Sequence, residues 1–264
     1  MRGENAVLVS AVLMGTLPFF IKSLMLSPLS STFYRLFIGF VFVGIFLLFR
    51  KERPIFNKQL VFLGLLNTGT VFFYITAITY LSAAMAALLL YMAPIYVMGY
   101  AIMKGKVSKK SLISLFMGIL GLYLLLSPES HINAGLLAGI LSGIVYAGAF
   151  VMLNRLGKIY DPIKITFSNL LVGVLLLLPF FQLEIVNPVL ILGLGLIPTA
   201  IPFILLTYGM AKVRVEKGPV IALAEPVTAG LVGFMFFGEM LSGSQLLGGI
   251  IILSAVFMAL SDES

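Results

Sequence analysis

The chain has no cysteine, no tryptophan and a single histidine, and charged side chains occupy only 10% of its 264 positions. Without cysteine there is no disulfide framework, no thiol nucleophile and no Cys metal site. The one histidine, His131, falls in a loop, and no His/Glu zinc motif is present. No G-x-x-x-x-G-K-[ST] run occurs, which excludes a P-loop ATP-driven pump, and no G-x-S-x-G nucleophile elbow occurs either. No cofactor is expected. The shortage of charge has the widest consequence. With 61% hydrophobic residues and a mean hydropathy of +1.14, a water-soluble domain of this size has no way to hide its apolar surface, so the solvent must be lipid.

A membrane helix needs about 20 mostly apolar residues. Cutting the sequence at charged and turn residues predicts ten: 5–22, 29–49, 59–80, 83–103, 110–127, 134–154, 162–182, 188–210, 218–237 and 243–260. All ten are expected to be helices, because lipid leaves unpaired backbone groups unsatisfied and the runs are too long for barrel strands. The expected class is therefore an all-α integral membrane protein. The first run follows Met1-Arg2 without a clear cleavage site and reads as a retained helix. Of the 17 Lys and Arg, 15 fall at Arg2 or in alternate loops: Arg50, Lys51, Arg53, Lys58; Lys104, Lys106, Lys109, Lys110; Arg155, Lys158, Lys164; and Lys212, Arg214, Lys217. The other loops carry Glu129, His131, Glu184 and Glu239, and only Lys22 and Arg35 break the pattern. Cytoplasmic loops attract such cations, so both termini are expected in the cytoplasm of a cell (cytoplasmic) membrane. The net charge of +7 is read as this orientation signal and not as a nucleic-acid surface.

The second half repeats the first. Asn67–Pro94 aligns with Thr199–Pro226 at an offset of 132 without a gap; Arg35 falls on Asn169, and Gly105-Lys106 meets Gly238-Glu239 one residue out of register. An odd number of spans per unit makes the two units, 1–128 and 129–264, antiparallel, the arrangement of many secondary transporters. Small residues at Gly135, Gly139, Gly143 and Ala147, and at Ala11 and Gly15, mark close helix packing. Prolines interrupt spans 1, 4, 8 and 9 at Pro18, Pro94, Pro198, Pro202 and Pro226, each withdrawing a backbone donor. Pro94 and Pro226 recur at matching places and are read as hinges beside a site.

The segments "FYITAITYLSAAMAALLLYMAPIYV", "ALAEPVTAGLVGFMFFGEMLSGSQLLGGIIIL" and "STFYRLFIG" resemble the EamA-type repeats of the drug/metabolite transporter superfamily. The resemblance spans essentially the whole chain. It rests on Phe33-x-Arg35, the span 4 and span 9 prolines, and Gly238-Glu239 before Ser242; Lys106 and the missing tryptophan depart from it. It implies ten helices in two inverted five-helix repeats, both ends cytoplasmic, and ATP-independent movement of small metabolites. Export of hydrophobic or neutral amino acids is the cargo it favours. A passive solute channel and an intramembrane lipid-modifying enzyme remain as alternatives; fast solute flux marks the first, lipid turnover the second.

Candidate transport residues follow from polar side chains inside apolar spans. Glu225 lies about 10 Å into span 9 by helix rise; an ionisable group at such depth usually faces a cavity or a partner. It is read as a proton-coupling carboxylate or a counter-charge for a substrate amine, against the simpler reading of an acid bonded to a neighbouring helix. Arg35 either holds a substrate carboxylate or braces neighbouring carbonyls. Asn67 and Tyr74 share a polar stripe with Thr70 on span 3, Thr199 matches Asn67, and Thr228 shares a face with Glu225. Tyr91, Tyr96, Tyr146 and Tyr208 offer aromatic walls. Glu239 and Ser242 are expected to organise the turn into span 10, with Ser242 as its cap, and Lys22 to anchor at the interface. The expected partners are a small metabolite, the bilayer and protons as coupling ion, in a monomer or homodimer.

The loop charges generate a test. Single cysteines replacing Ser130 and Ser242 are expected to react with an impermeant thiol reagent added to intact cells, and cysteines replacing Lys51, Lys106 and Lys158 to stay unlabelled. Labelling of Lys106→Cys from outside contradicts the antiparallel assignment.

Overall fold

The structure, a computed structural model, describes residues 1–80, 83–105, 107–126, 134–181, 184 and 187–262. Among these the chain is helical throughout, with no strand. The helices are α1 (Gly3–Met14), α2 (Leu17–Leu24), α3 (Pro28–Phe49), α4 (Lys58–Tyr80), α5 (Ala83–Leu90), α6 (Ala93–Met103), α7 (Lys109–Leu126), α8 (Ala134–Leu156), α9 (Pro162–Leu177), α10 (Pro188–Gly195), α11 (Ile201–Lys212), α12 (Lys217–Ala222), α13 (Ala224–Phe237) and α14 (Gly243–Leu260). A π-helical turn, Leu196–Ala200, joins α10 to α11. Nine helical segments among the described residues are long and apolar enough to cross a membrane, and the 23-residue α4 lies beside them against α8 and α9. This is a multi-pass membrane protein. Phe49, Phe116 and Phe257 stand on its outside, each more than 70% exposed, which only a lipid solvent tolerates.

Polar residues and prolines start the helices. Ser27, Asp161 and Asn187 each accept a hydrogen bond from a backbone N–H in the first turn, and a proline with no donor to lose follows each. Ser242 caps α14 in a reciprocal box with Gln245, as its position implies. Gly105 and Gly238, the pair that aligns between the halves, both take positive φ, +69° and +66°. Gly238 ends α13 in the left-handed conformation that glycine adopts without strain.

Four of the sequence-derived spans are broken, at the places the prolines mark. Span 1 divides at Gly15-Thr16 before Pro18, span 4 at Tyr91-Met92 before Pro94, span 8 at the π turn holding Pro198, and span 9 at Leu223 before Pro226. Helix pairs from broken and unbroken spans alike form the frame. α7 packs along α14, α4 along α8, α1 along α11, α3 along α9 and α10, and α4 along α9. The α7–α14 pair meets backbone to backbone: a Cβ on Gly121 would lie 2.7 Å from the Gly248 carbonyl, and one on Gly248 2.4 Å from the Leu125 nitrogen. On α8, Gly139 and Gly143 admit Leu89 of α5 in the same way. The main core runs through Val7, Leu60, Leu122, Phe150, Met210 and Ile252.

The basic loops and the termini gather at one end of the bundle. Met1 and Lys212 meet the Tyr208 hydroxyl, Arg50 reaches Asp161 at 3.7 Å, and Lys164 reaches Glu52 at 3.0 Å. The Lys164 hydrogen bond holds the Glu52 carboxyl below its ordinary value of 4.5, so this tie is complete above that pH and is lost as acid protonates Glu52. Two loop cations differ from the sequence expectation of free orientation charges. Lys217 is 4% exposed, and Arg214 enters the same buried network. The Arg214 guanidinium donates to Asp262 at 2.6 Å and to Ser111 at 2.9 Å, and lies 3.1 Å from Glu216. Ser108 donates to Asp262 at 2.6 Å, and the Lys217 ammonium bonds the Asp262 backbone carbonyl. The acidic partner Asp262 lies 48 and 45 positions along the chain from these cations, beyond any local reading. At the opposite end Lys22 pairs with Glu239 and sits 4.9 Å over the Phe237 ring. It joins α2 to the end of α13 and is more than an interface anchor. Lys106, Glu129, Ser130 and His131 lie outside the described residues.

Removing one member of a buried ion network leaves its partners charged and unpaired. Asp262→Ala is therefore expected to cost about 3–5 kcal/mol, read as a lowered thermal transition of the detergent-solubilised protein, and Ser108→Ala about 1 kcal/mol.

Candidate functional site

The four helix breaks converge. A Cβ on Gly15, at the α1–α2 break, would lie 2.5 Å from the Thr228 Cβ and 2.7 Å from the Glu225 carbonyl, so only glycine lets the first break lie against the fourth. Ser10 of α1 donates at 2.8 Å to the Pro202 carbonyl just beyond the π turn. Tyr91, in the α5–α6 break, lies close enough to Glu225 for the two side chains to interact. Broken helices leave carbonyls and N–H groups without ladder partners, and in a membrane such backbone is tolerated only where protein or a cavity satisfies it.

Around this junction stand Arg35 from α3, Tyr74 from α4, Tyr91, Tyr146 from α8 and Glu225 from α13. The Glu225 charge acts on each of the other four. All five are half-buried in the bundle. The arrangement offers one guanidinium, one carboxyl group and three phenolic hydroxyls in a setting where weak screening makes charges count heavily.

Each of the remaining sequence candidates has a definite place. The Arg35 Nε donates to the Thr199 hydroxyl at 3.1 Å and its Nη2 to the Pro198 carbonyl at 3.2 Å, and the guanidinium lies 5.5 Å over the Phe203 ring. Asn67 donates to Asn169 at 2.8 Å, joining α4 to α9. Tyr96, like Tyr91 and Tyr146, packs against the main core, and its ring edge lies 3.2 Å from where a Cβ on Gly143 would stand. Thr228 bonds back to the Ala224 carbonyl at 3.0 Å and packs on Gly15. Pro94 and Pro226 sit in the first turns of α6 and α13, just past their breaks. Tyr208 stands apart from the others: its hydroxyl donates to the Met1 carbonyl at 3.2 Å, at the terminal end. Sequence reasoning passed over Phe203. It also passed over Asn154, which ties α8 to the end of α11 through the Met210 and Val213 carbonyls at 2.5 and 2.9 Å; the one signal for Asn154 is an amide in an otherwise apolar span.

One surface cavity lies beside the junction and another at the terminal end. The first, of about 230 Å³, is walled by Thr16, Phe19, Phe20, Ile197, Val232 and Phe236. The other, about 320 Å³, is lined by Arg2, Glu4, Asn5, Leu260 and Asp262 at the terminal end and shares no residue with the cluster. The site is thus marked by its polar groups and helix breaks and not by either of these openings. Among the described residues no His/Asp/Glu group is arranged to hold a metal.

Comparison with known proteins places this architecture. A solved crystal structure superposes with a TM-score of 0.83 over 98% of this chain and 97% of its own, at 20% identity, which establishes the shared fold. An uncharacterized transporter of Archaeoglobus fulgidus is 45% identical over 97% of this chain and 96% of its own length. Protein PecM of Dickeya dadantii is 32% identical over 81% of this chain and 78% of its own. The pseudopaline exporter CntI of Pseudomonas aeruginosa is 25% identical over 84% of this chain and 82% of its own. The EamA-like transporter family matches twice, over residues 1–127 and 133–261. With both halves matched in turn, the chain belongs to the EamA-like transporter family.

Proposed function

We propose that the protein is a secondary carrier that moves a small zwitterionic or neutral metabolite across the cytoplasmic membrane by alternating access, with hydrophobic amino acids as the cargo class and export as the direction. The observation that carries this reading is that Arg35, held at the π turn of span 8 by Thr199 and Pro198, and Glu225, whose carbonyl lies against Gly15 at the α1–α2 break, both belong to the junction of broken helices. A zwitterion presents one carboxylate and one ammonium: Arg35 suits the first, Glu225 the second, and Tyr74, Tyr91 and Tyr146 supply apolar walls with hydroxyl edges. A single Arg at the junction fits this cargo better than a phosphorylated one, which needs several cations. The exporter among the relatives supports the direction.

Alternating access requires two arrangements of similar energy, which an inverted repeat supplies. Several observations support ten spans in two such repeats. Exchanging each span with the one five later turns the α4–α8 contact into α11–α1, α3–α10 into α9–α4, and α5–α8 into α12–α1, while α7–α14 and α3–α9 map onto themselves. The same exchange carries the Arg35–Thr199 hydrogen bond onto Asn169–Asn67. In this reading both termini face the cytoplasm, and rocking about the hinges at Pro94 and Pro226 exposes the site to each side in turn.

Glu225 is the coupling group: it exchanges a proton for the substrate's ammonium within reach of Tyr91 and Arg35. In proteoliposomes, Glu225→Gln is expected to abolish accumulation driven by a pH gradient and to weaken the apparent affinity for labelled leucine in counterflow, while exchange at saturating leucine persists. Unaltered gradient-driven uptake by well-folded Glu225→Gln protein refutes the coupling role, and absence of counterflow with any of a panel of neutral amino acids refutes the cargo class.

A further inference from the structure

In a helix each carbonyl accepts from the N–H four residues on, and a proline at that place has none to give. Pro198 and Pro202 stand four apart in span 8, so they deprive the Leu194 and Pro198 carbonyls of their regular donors. Side chains answer both. The Thr199 hydroxyl donates to the Leu194 carbonyl at 2.8 Å, and the Arg35 Nη2 donates to the Pro198 carbonyl at 3.2 Å. With its hydrogen committed to Leu194, the Thr199 oxygen turns its lone pairs outward and accepts from the Arg35 Nε at 3.1 Å. Thr199 is 0% exposed, so no water competes for that hydroxyl. The Phe203 ring, one residue beyond Pro202, lies beneath the guanidinium at 5.5 Å.

The other half of the chain serves as an internal comparison. At the positions of Pro198, Thr199 and Pro202 it has Leu66, Asn67 and Thr70. No proline interrupts α4, Thr70 bonds back to the Leu66 carbonyl at 2.9 Å, and the inter-helix contact is a neutral one between Asn67 and Asn169. An arginine is found where the prolines have exposed a carbonyl for it, and an asparagine where they have not.

We propose that Pro198, Thr199 and Pro202 form a socket for Arg35, with Thr199 as the positioning residue that fixes the guanidinium. Two of its nitrogens are held by the socket. Nη1 makes no protein hydrogen bond among the described residues, so its two hydrogens and the second hydrogen of Nη2 are the donors left for a ligand. That this ligand is the substrate's carboxylate rests on the carrier reading given above; the socket itself does not.

The test separates the two. In nanodisc-embedded protein labelled with [15N]arginine, the Arg35 Nε–H signal is identified by its loss in Arg35→Lys. Its hydrogen exchange is expected to be slow, to accelerate about tenfold or more in Thr199→Val, which keeps the shape but loses the hydroxyl, and to slow again in Thr199→Ser. Exchange unchanged by Thr199→Val overturns the socket. If that variant fails to assemble, Pro202→Ala, which returns a backbone donor to the Pro198 carbonyl, is expected to loosen the same signal, and an unloosened signal there overturns the socket equally. In counterflow, Thr199→Val is expected to weaken the apparent affinity for leucine about tenfold with little change in maximal rate, while isoamylamine, which lacks the carboxylate, is carried with its apparent affinity unchanged. An equal loss for both compounds overturns the positioning role. If the unmodified protein carries neither compound, the cargo reading falls while the exchange measurement still decides the socket.

Discussion

Lipid accepts no hydrogen bond from a backbone and donates none, and the architecture follows from that. An unbroken helix satisfies itself. A broken one must find partners inside the protein, because each unsatisfied group costs several kcal/mol (about 2–7) in an apolar medium. Here the breaks in spans 1, 4, 8 and 9 are gathered at one place, where each supplies what another lacks. The α1–α2 break lies on the Glu225 carbonyl through Gly15, Tyr91 from the α5–α6 break lies near the Glu225 side chain, and the side chains of Thr199 and Arg35 answer the carbonyls exposed in span 8. Collecting the breaks also collects polar groups, so a ligand site becomes possible in a chain with few charges to spare.

The frame around that junction is held by close approach and by selected charges. Gly121 and Gly248 bring α7 and α14 together where any side chain would separate them. At the terminal end, Arg214, Lys217, Ser108 and Ser111 converge on Asp262, whereas the other end has the Lys22–Glu239 pair and the Tyr34 hydroxyl donating to the Glu184 carbonyl at 3.0 Å. Buried ion pairs contribute little net stability against an apolar core but are costly to break singly, so they fix which surfaces meet.

Much of this is legible in the sequence because it is local. Apolar runs give the helices, prolines give the breaks at Pro18, Pro94, Pro198 and Pro226, Gly238 gives a helix end, and Ser242 gives a cap with its partner three residues away. What the sequence hides are partners far along the chain. Arg35 and Thr199 are 164 positions apart, and Ser108 and Asp262 are 154 apart; no periodicity links them. Lys217 reads as one more loop cation because hydropathy counts charges and not counter-charges. Tyr208 reads like Tyr91 and Tyr146, an aromatic inside an apolar run, yet Met1 and Lys212 engage it at the terminal end. The repeat alignment does carry information of this kind: it matches Arg35 with Asn169 and Asn67 with Thr199, and the structure joins these four residues in two cross-half hydrogen bonds.

The α7–α14 contact also bears on biogenesis. The glycine-lined face of α7 emerges from the ribosome with the first half of the chain, whereas Gly248, the residue it receives, is synthesised more than a hundred positions later. Until α14 is made, the glycine face of α7 has no Gly248 to pack against, so this part of the frame can close only after the second half has been synthesised.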